Sequence, residues 1–155
     1  MKGDKKVLTV LNELLADELT AISQYMVHSE MCDNWGYAKL HAAIEKQAMD
    51  EMKHAEELIG RILFLEGMPI VSKLNPMKIG KDVPAMIAND KDDEVGAVQS
   101  YNEAIATCRE AGDQASADLF LQLLKDEEGH VDWGEEQLDQ IAQMGLQNYL
   151  ANQAG

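Results

Sequence analysis

Apolar positions recur with a helical period of about 3.6 residues along four long stretches of the chain. The first, about residues 4–33, carries Val7, Leu11, Leu14, Leu15, Ile22 and Tyr25 on one stripe. The second, about 36–65, follows the turn signal Asn34-Trp35-Gly36 and carries Leu40, Ile44, Leu58, Ile62 and Leu65. The third, about 82–111, opens with Asp82 as its N-cap and Pro84 in its first turn, and continues through Val83, Ile87, Tyr101 and Ile105. The fourth, about 113–144, follows Ala111-Gly112 and carries Phe120, Leu124, Val131, Leu138 and Ile141; a short fifth helix is expected over about 146–152, after Gly145. The two outer connections are tight turns. The middle one, residues 66–81, holds Pro69, Pro76, Gly67 and Gly80. Sixteen extended residues reach ~50 Å, enough to run the length of a 30-residue helix at ~45 Å. The pattern predicts one all-α domain over residues 1–155: a ferritin-like four-helix bundle with one long crossover and a short C-terminal helix. An up-down-up-down bundle with a slack middle loop is the rival that length alone leaves open.

Each stripe is broken near its middle by a carboxylate: Glu18, Glu51, Glu94 and Glu127. A buried ionised carboxylate is costly unless it is paired or bound to a cation. Three residues beyond Glu51 and Glu127 stand His54 and His130, on the same helix faces. Four carboxylates balance two divalent cations, and neutral imidazoles complete the ligand set. Glu18 and Glu51 are 33 residues apart, as are Glu94 and Glu127, and the two halves repeat at an offset of 76, which also relates Asp17-Glu18 to Asp93-Glu94 and Asp50-Glu51 to Asp126-Glu127. In each hairpin the two glutamates are equidistant from the turn, so an antiparallel pair brings them to one height. A Glu from each of two helices with Glu-x-x-His from the other two resembles the constellation of di-iron and di-manganese carboxylate bundles.

Charge narrows the partners. With 28 acidic and 13 basic residues the formal net charge is −15, which opposes nucleic acid and anionic membranes and attracts cations. No apolar stretch is long enough to cross a bilayer, and the opening residues lack the apolar core of a signal peptide. Cys32 and Cys108 fit no CxxC motif, and the crossover topology puts them at opposite ends of the bundle, so no bridge between them is expected. A reducing cytoplasm suits such cysteines.

At DEMKHAEELIGRILFLEG (50–67) and DEEGHVDW (126–133), and at both ends of the chain, the sequence resembles bacterioferritins. The resemblance implies a shell of 24 subunits built from twofold dimers. Fe(II) would be oxidised by O₂ or H₂O₂ at a di-iron ferroxidase centre in each bundle, with two Fe per chain, and Fe(III) stored as mineral in the cavity. By position the ligands would be Glu18, Glu51, His54, Glu94, Glu127 and His130. Glu51 and Glu127 would bridge, with Glu18 and His54 completing one site and Glu94 and His130 the other. The family also binds a b-type haem between paired subunits through one Met from each; the matching residue is Met52. A ferredoxin-type reductant would release the iron. This chain has Lys46 where some members have a cavity-facing His, and Leu58 where they have a Tyr; Tyr25, Trp133, Asp50 and Asp126 are kept.

His28 and His41 lack a preceding Glu at helical spacing and are expected to be surface or structural residues. Tyr25, on the stripe of Glu18, either hydrogen-bonds a ligand carboxylate or belongs to the core; Trp133, three residues after His130, has the same two roles open. Other function classes remain: a dimetal Fe or Mn redox enzyme of peroxidase or catalase type that stores nothing, a DNA-binding miniferritin, which the charge opposes, and a helical interaction protein without metal.

Overall fold

The computed structural model describes residues 1–155. Its helices are α1 (Lys5–Asn34), α2 (Ala38–Phe64), α3 (Val83–Glu110), α4 (Gln114–Met144) and α5 (Leu146–Gln153). Three of the four long helices are capped by an aspartate whose side chain takes orphaned amides of the first turn: Asp4 from Lys6 and Val7, Asp82 from Ala85, and Asp113 from Ser116. Pro84 lies in the first turn of α3, where its missing N–H is harmless.

The turns that close the two hairpins are alike. In the first, the Tyr37 amide donates to Cys32 O at 2.9 Å and Gly36 to Asp33 O at 2.9 Å; in the second, Asp113 donates to Cys108 O at 2.8 Å and Gly112 to Arg109 O at 3.1 Å. This is the Schellman pattern, which needs a left-handed residue at its centre; Gly36 (φ +83°) and Gly112 (φ +74°) supply it. Cys32 and Cys108, like the two glycines, obey the 76-residue offset of the carboxylates.

The crossover climbs along α1. Ile70 N donates to Asn12 Oδ1 (2.9 Å), Asn75 N to Thr20 Oγ1 (2.8 Å), Lys78 N to Gln24 Oε1 (2.8 Å) and Gly80 N to His28 Nε2 (2.9 Å). These contacts at successive turns of α1 deliver α3 beside the C-terminal half of α1 and exclude the slack-loop rival. His28 is wholly buried: its Nδ1–H donates to Asp90, leaving Nε2 to accept from Gly80. It is the structural histidine of the two expected roles.

The core is in two parts. One half packs Val7, Leu11, Leu58, Ile62, Cys108 and Phe120; the other packs Cys32, Leu40, Ile44, Val83, Met86 and Tyr149. Both cysteines are free, and each sits in a different half. Leu58 is fully buried in the first half. Polar side chains from all four long helices lie between the halves.

Gly80 is where the crossover meets α3: a Cβ there would lie 2.3 Å from Met86 N, against backbone that cannot yield. Gly60, inside α2, faces open space. Gly80→Ala is therefore expected to destabilise the chain by about 1–3 kcal/mol, and Gly60→Ala to stabilise it by about 0.5–1 kcal/mol. Denaturant midpoints of the two variants check both signs.

Candidate metal centre

The polar layer consists of Glu18 from α1, Glu51 and His54 from α2, Glu94 from α3, and Glu127 and His130 from α4, all buried. His54 Nδ1 lies 2.8 Å from Glu127 Oε1, 3.5 Å from Glu51 Oε1 and 3.6 Å from Glu18 Oε2. His130 Nδ1 lies 3.2 Å from Glu51 Oε1 and 3.3 Å from Glu94 Oε1. Close as they are, these atoms are not bonded to one another. Both Nδ1 atoms, Glu18 Oε2, Glu51 Oε1, Glu94 Oε2 and both oxygens of Glu127 are buried without a hydrogen-bond partner. Buried polar atoms are rarely left so. They converge as two groups, each with its ligand atoms within 4.8 Å: Glu18, Glu51, His54 and Glu127, and Glu51, Glu94, Glu127 and His130. Glu51 and Glu127 belong to both. Carboxylate and imidazole donors of this kind suit divalent iron, manganese, cobalt or zinc.

A second ring of residues holds the first in place. Tyr25 donates to Glu94, and Tyr101 donates to Glu18 Oε1 at 2.6 Å. Each tyrosine thus steadies a glutamate of the other hairpin, and burial beside these carboxylates pushes both phenols up. The His54 Nε2–H donates to Asp126 Oδ2 at 3.0 Å and the His130 Nε2–H to Asp50 Oδ2 at 3.3 Å, again across hairpins. That fixes the tautomer and turns each Nδ1 toward the cluster. Lys46 reaches Asp50 at 3.0 Å. Burial favours a protonated Asp50, but the hydrogen bonds from Lys46 and His130 outweigh it and hold the carboxyl low.

Without cations the cluster is frustrated. Burial, then the charge of Glu18, pushes the Glu51 carboxyl well up, and Glu127 follows for the same two reasons. Burial opposes charge on His54, but Glu127 and Glu18 beside it win and push it up to about 11. His130 is raised in the same way by Glu94 and Asp50. Burial alone would raise Glu94; its neighbours Glu127, His130 and Tyr25 hold it low instead.

Two cavities flank the layer. One, of about 320 Å³ between α1 and α3, is lined by Asp17, Asp93, Glu18 and Glu94 and roofed by crossover residues Asn75 and Lys78. The other, of about 460 Å³ between α2 and α4, is lined by Lys46, Asp50, Lys125, Asp126, His130 and Trp133. Trp133 thus stands beside His130, half-buried, and also packs against the second core half.

Of the residues singled out from the sequence, six meet in this layer and Met52 does not. Met52 lies exposed on α2, away from the cluster. His41 is half-exposed near the first turn; its Nδ1–H donates to Ser29 O at 2.9 Å and its Nε2 lies 3.4 Å from Glu45. Sequence reasoning overlooked Tyr101 and the cross-hairpin use of Asp50 and Asp126. The signal was present for Tyr101: it stands 76 residues after Tyr25.

A family model described as a ferritin-like domain matches residues 8–144. A bacterial ferritin from Paramagnetospirillum magnetotacticum is 47% identical, covering 100% of this chain and 96% of that one. A bacterial ferritin from Synechocystis is 46% identical with 99% of each chain covered, and a bacterioferritin from Rhodobacter capsulatus is 44% identical over 96% of this chain and 92% of its own.

The raised groups bind more protons in the folded, metal-free chain than in the unfolded one, so its stability falls as pH rises. For His54 the favourable contribution is complete below its unfolded value of 6.5 and is lost as pH climbs through about 11. The urea midpoint of chelator-treated protein is expected to drop steadily from about pH 6.5 to about pH 9, and Glu51→Gln to flatten the slope. Zinc(II) added to unbuffered protein is expected to release protons, read with an indicator dye. A flat midpoint and no release would sink the reading of the layer as a cation site.

Proposed function

The chain belongs to the ferritin family, with bacterioferritins and bacterial ferritins matching it almost end to end; on that premise we propose that it captures Fe(II), oxidises it at the buried cluster, and stores the Fe(III) as mineral inside a shell of its own copies. The observation that carries this reading is the set of seven buried ligand atoms without partners, converging as two groups that share Glu51 and Glu127. Two substrate Fe(II) ions would be held there, with Glu51 and Glu127 available to both. Glu18 and His54 complete one site, and Glu94 and His130 the other.

The reaction is a ferroxidation. Each Fe(II) gives up one electron. One O₂ takes both and leaves as H₂O₂ with two protons, or one H₂O₂ takes both and leaves as two waters with two protons. The chain supplies charge balance, spacing and orientation. Tyr25 and Tyr101 restrain the terminal glutamates; Asp126 and Asp50 hold Nε2 of His54 and His130, so that each Nδ1 faces the cluster.

Storage needs an assembly, and we propose the 24-subunit shell built from twofold dimers. The exposed apolar residues of α1 and α2 suit the twofold contact: Met26, Met49 and Met52 are 52%, 47% and 38% exposed. A b-type haem held between two copies by their Met52 sulfurs would cover this apolar surface and carry electrons from a ferredoxin-type reductant during iron release. No helix is long and apolar enough to cross a membrane, and buried free cysteines accord with the cytoplasm.

Aerobic addition of Fe(II) is expected to give a fast phase of Fe(III) absorbance that saturates near two Fe per chain, then soluble uptake far beyond it. Glu127→Gln is expected to slow the fast phase by about 10²-fold or more, as losing a bridging ligand removes both sites. Uptake that stops at two would make the chain a non-storing dimetal redox enzyme. Haemin added to the assembled protein is expected to give a low-spin Soret spectrum at one haem per two chains, and Met52→Leu to abolish it while Fe(II) oxidation persists.

A further inference from the structure

The two faces of the metal layer are not equivalent. On the α2–α4 side the imidazole rings stand between their aspartates and the cluster, and of the six ligands only His130 lines that cavity. A cation arriving there meets an imidazole ring held at Nε2 by Asp50. On the α1–α3 side the glutamates themselves form the floor: Glu18, Glu51, Glu94 and Glu127 all line the cleft. Its walls add Asp17, Asp93 and Asp92, the last paired with Lys91 at 3.0 Å. The cleft is thus a negatively charged passage from the outer face to the ligands.

One cation already sits at its mouth. The Lys78 ammonium lies 2.8 Å from Asp93 Oδ1. Its side chain is 58% exposed, but its backbone is fixed. The Lys78 amide donates to Gln24 Oε1 at 2.8 Å, and its carbonyl accepts from Asn89 Nδ2 at 3.1 Å. Gln24 in turn donates to Asp90 at 2.7 Å and Asp93 at 2.8 Å. Next along the crossover, Gly80 is bound to His28. The strap is therefore tied to α1 and α3 on either side of the cleft, and it places one positive charge where an incoming divalent cation must pass.

We propose that divalent cations reach the buried cluster through the α1–α3 cleft and that Lys78, held over the mouth by Asp93, sets how fast they pass. The proposal rests on the cluster being a metal centre. It assigns Lys78 to the rate of access and gives it no part in ligation, so affinity and rate should separate.

Metal-free assembled protein is mixed with Co(II) without oxygen in a stopped-flow instrument, and the visible absorbance of bound Co(II) is followed. At low salt, Lys78→Met is expected to raise the binding rate about 3–10-fold and Lys78→Glu to raise it further, both gains shrinking as salt is added. Lys78→Arg, which keeps the charge, should bind at the wild-type rate. Final absorbance and stoichiometry at equilibrium should be the same in all four proteins. Equal rates in all four, with full final absorbance, would leave the metal centre intact and overturn this route. Absence of any Co(II) band in the wild-type chain would instead overturn the metal centre, and this proposal with it. A change in equilibrium affinity in Lys78→Met would overturn the assignment of Lys78 to access.

Discussion

Four carboxylates buried within a few ångströms of one another form the constraint to which the rest of the molecule answers. At an effective dielectric of about 20, two unit charges 4 Å apart repel by about 4 kcal/mol, and this layer holds several such pairs. The metal-free chain relieves the repulsion with protons: Glu51, Glu127, His54 and His130 are all shifted toward their protonated forms. Two divalent cations would relieve it better, because they also satisfy the ligand atoms that lack hydrogen bonds. The apolar halves above and below are what hold so unfavourable a layer together. In that sense the core is divided because the site is in its middle.

The second theme is exchange between the hairpins. Tyr25 of the first reaches Glu94 of the second, and Tyr101 of the second reaches Glu18 of the first. Asp126 orients His54, and Asp50 orients His130. Each hairpin thus orients residues of the other, and the approximate twofold makes each contact occur twice.

The crossover breaks that symmetry. It runs along one side only, bound to α1 at Asn12, Thr20, Gln24 and His28. The result is a layer with two different faces. The α2–α4 face presents imidazoles braced by aspartates, beside Lys46 and Lys125; the α1–α3 face presents bare glutamates beneath a strap. Charge, which is −15 over the chain, is thus distributed unevenly about the site.

Much of this was legible in the sequence, because helical period and polar interruption are local signals. The stripes of Val7 to Tyr25 and their counterparts fixed four helices, and the 33- and 76-residue spacings put Glu18, Glu51, Glu94 and Glu127 at one height with His54 and His130 beside them. Residue type and spacing suffice there, since a ligand must lie on the face that its helix buries. The sequence could not assign partners across helices. Whether Asp50 served His54 or His130, whether Tyr25 was core or hydrogen-bond donor, and whether His28 was surface or structural depended on which helix packed against which. Only the docked bundle decided them, because a hydrogen bond is settled by distances of tenths of an ångström between residues 52 to 83 positions apart.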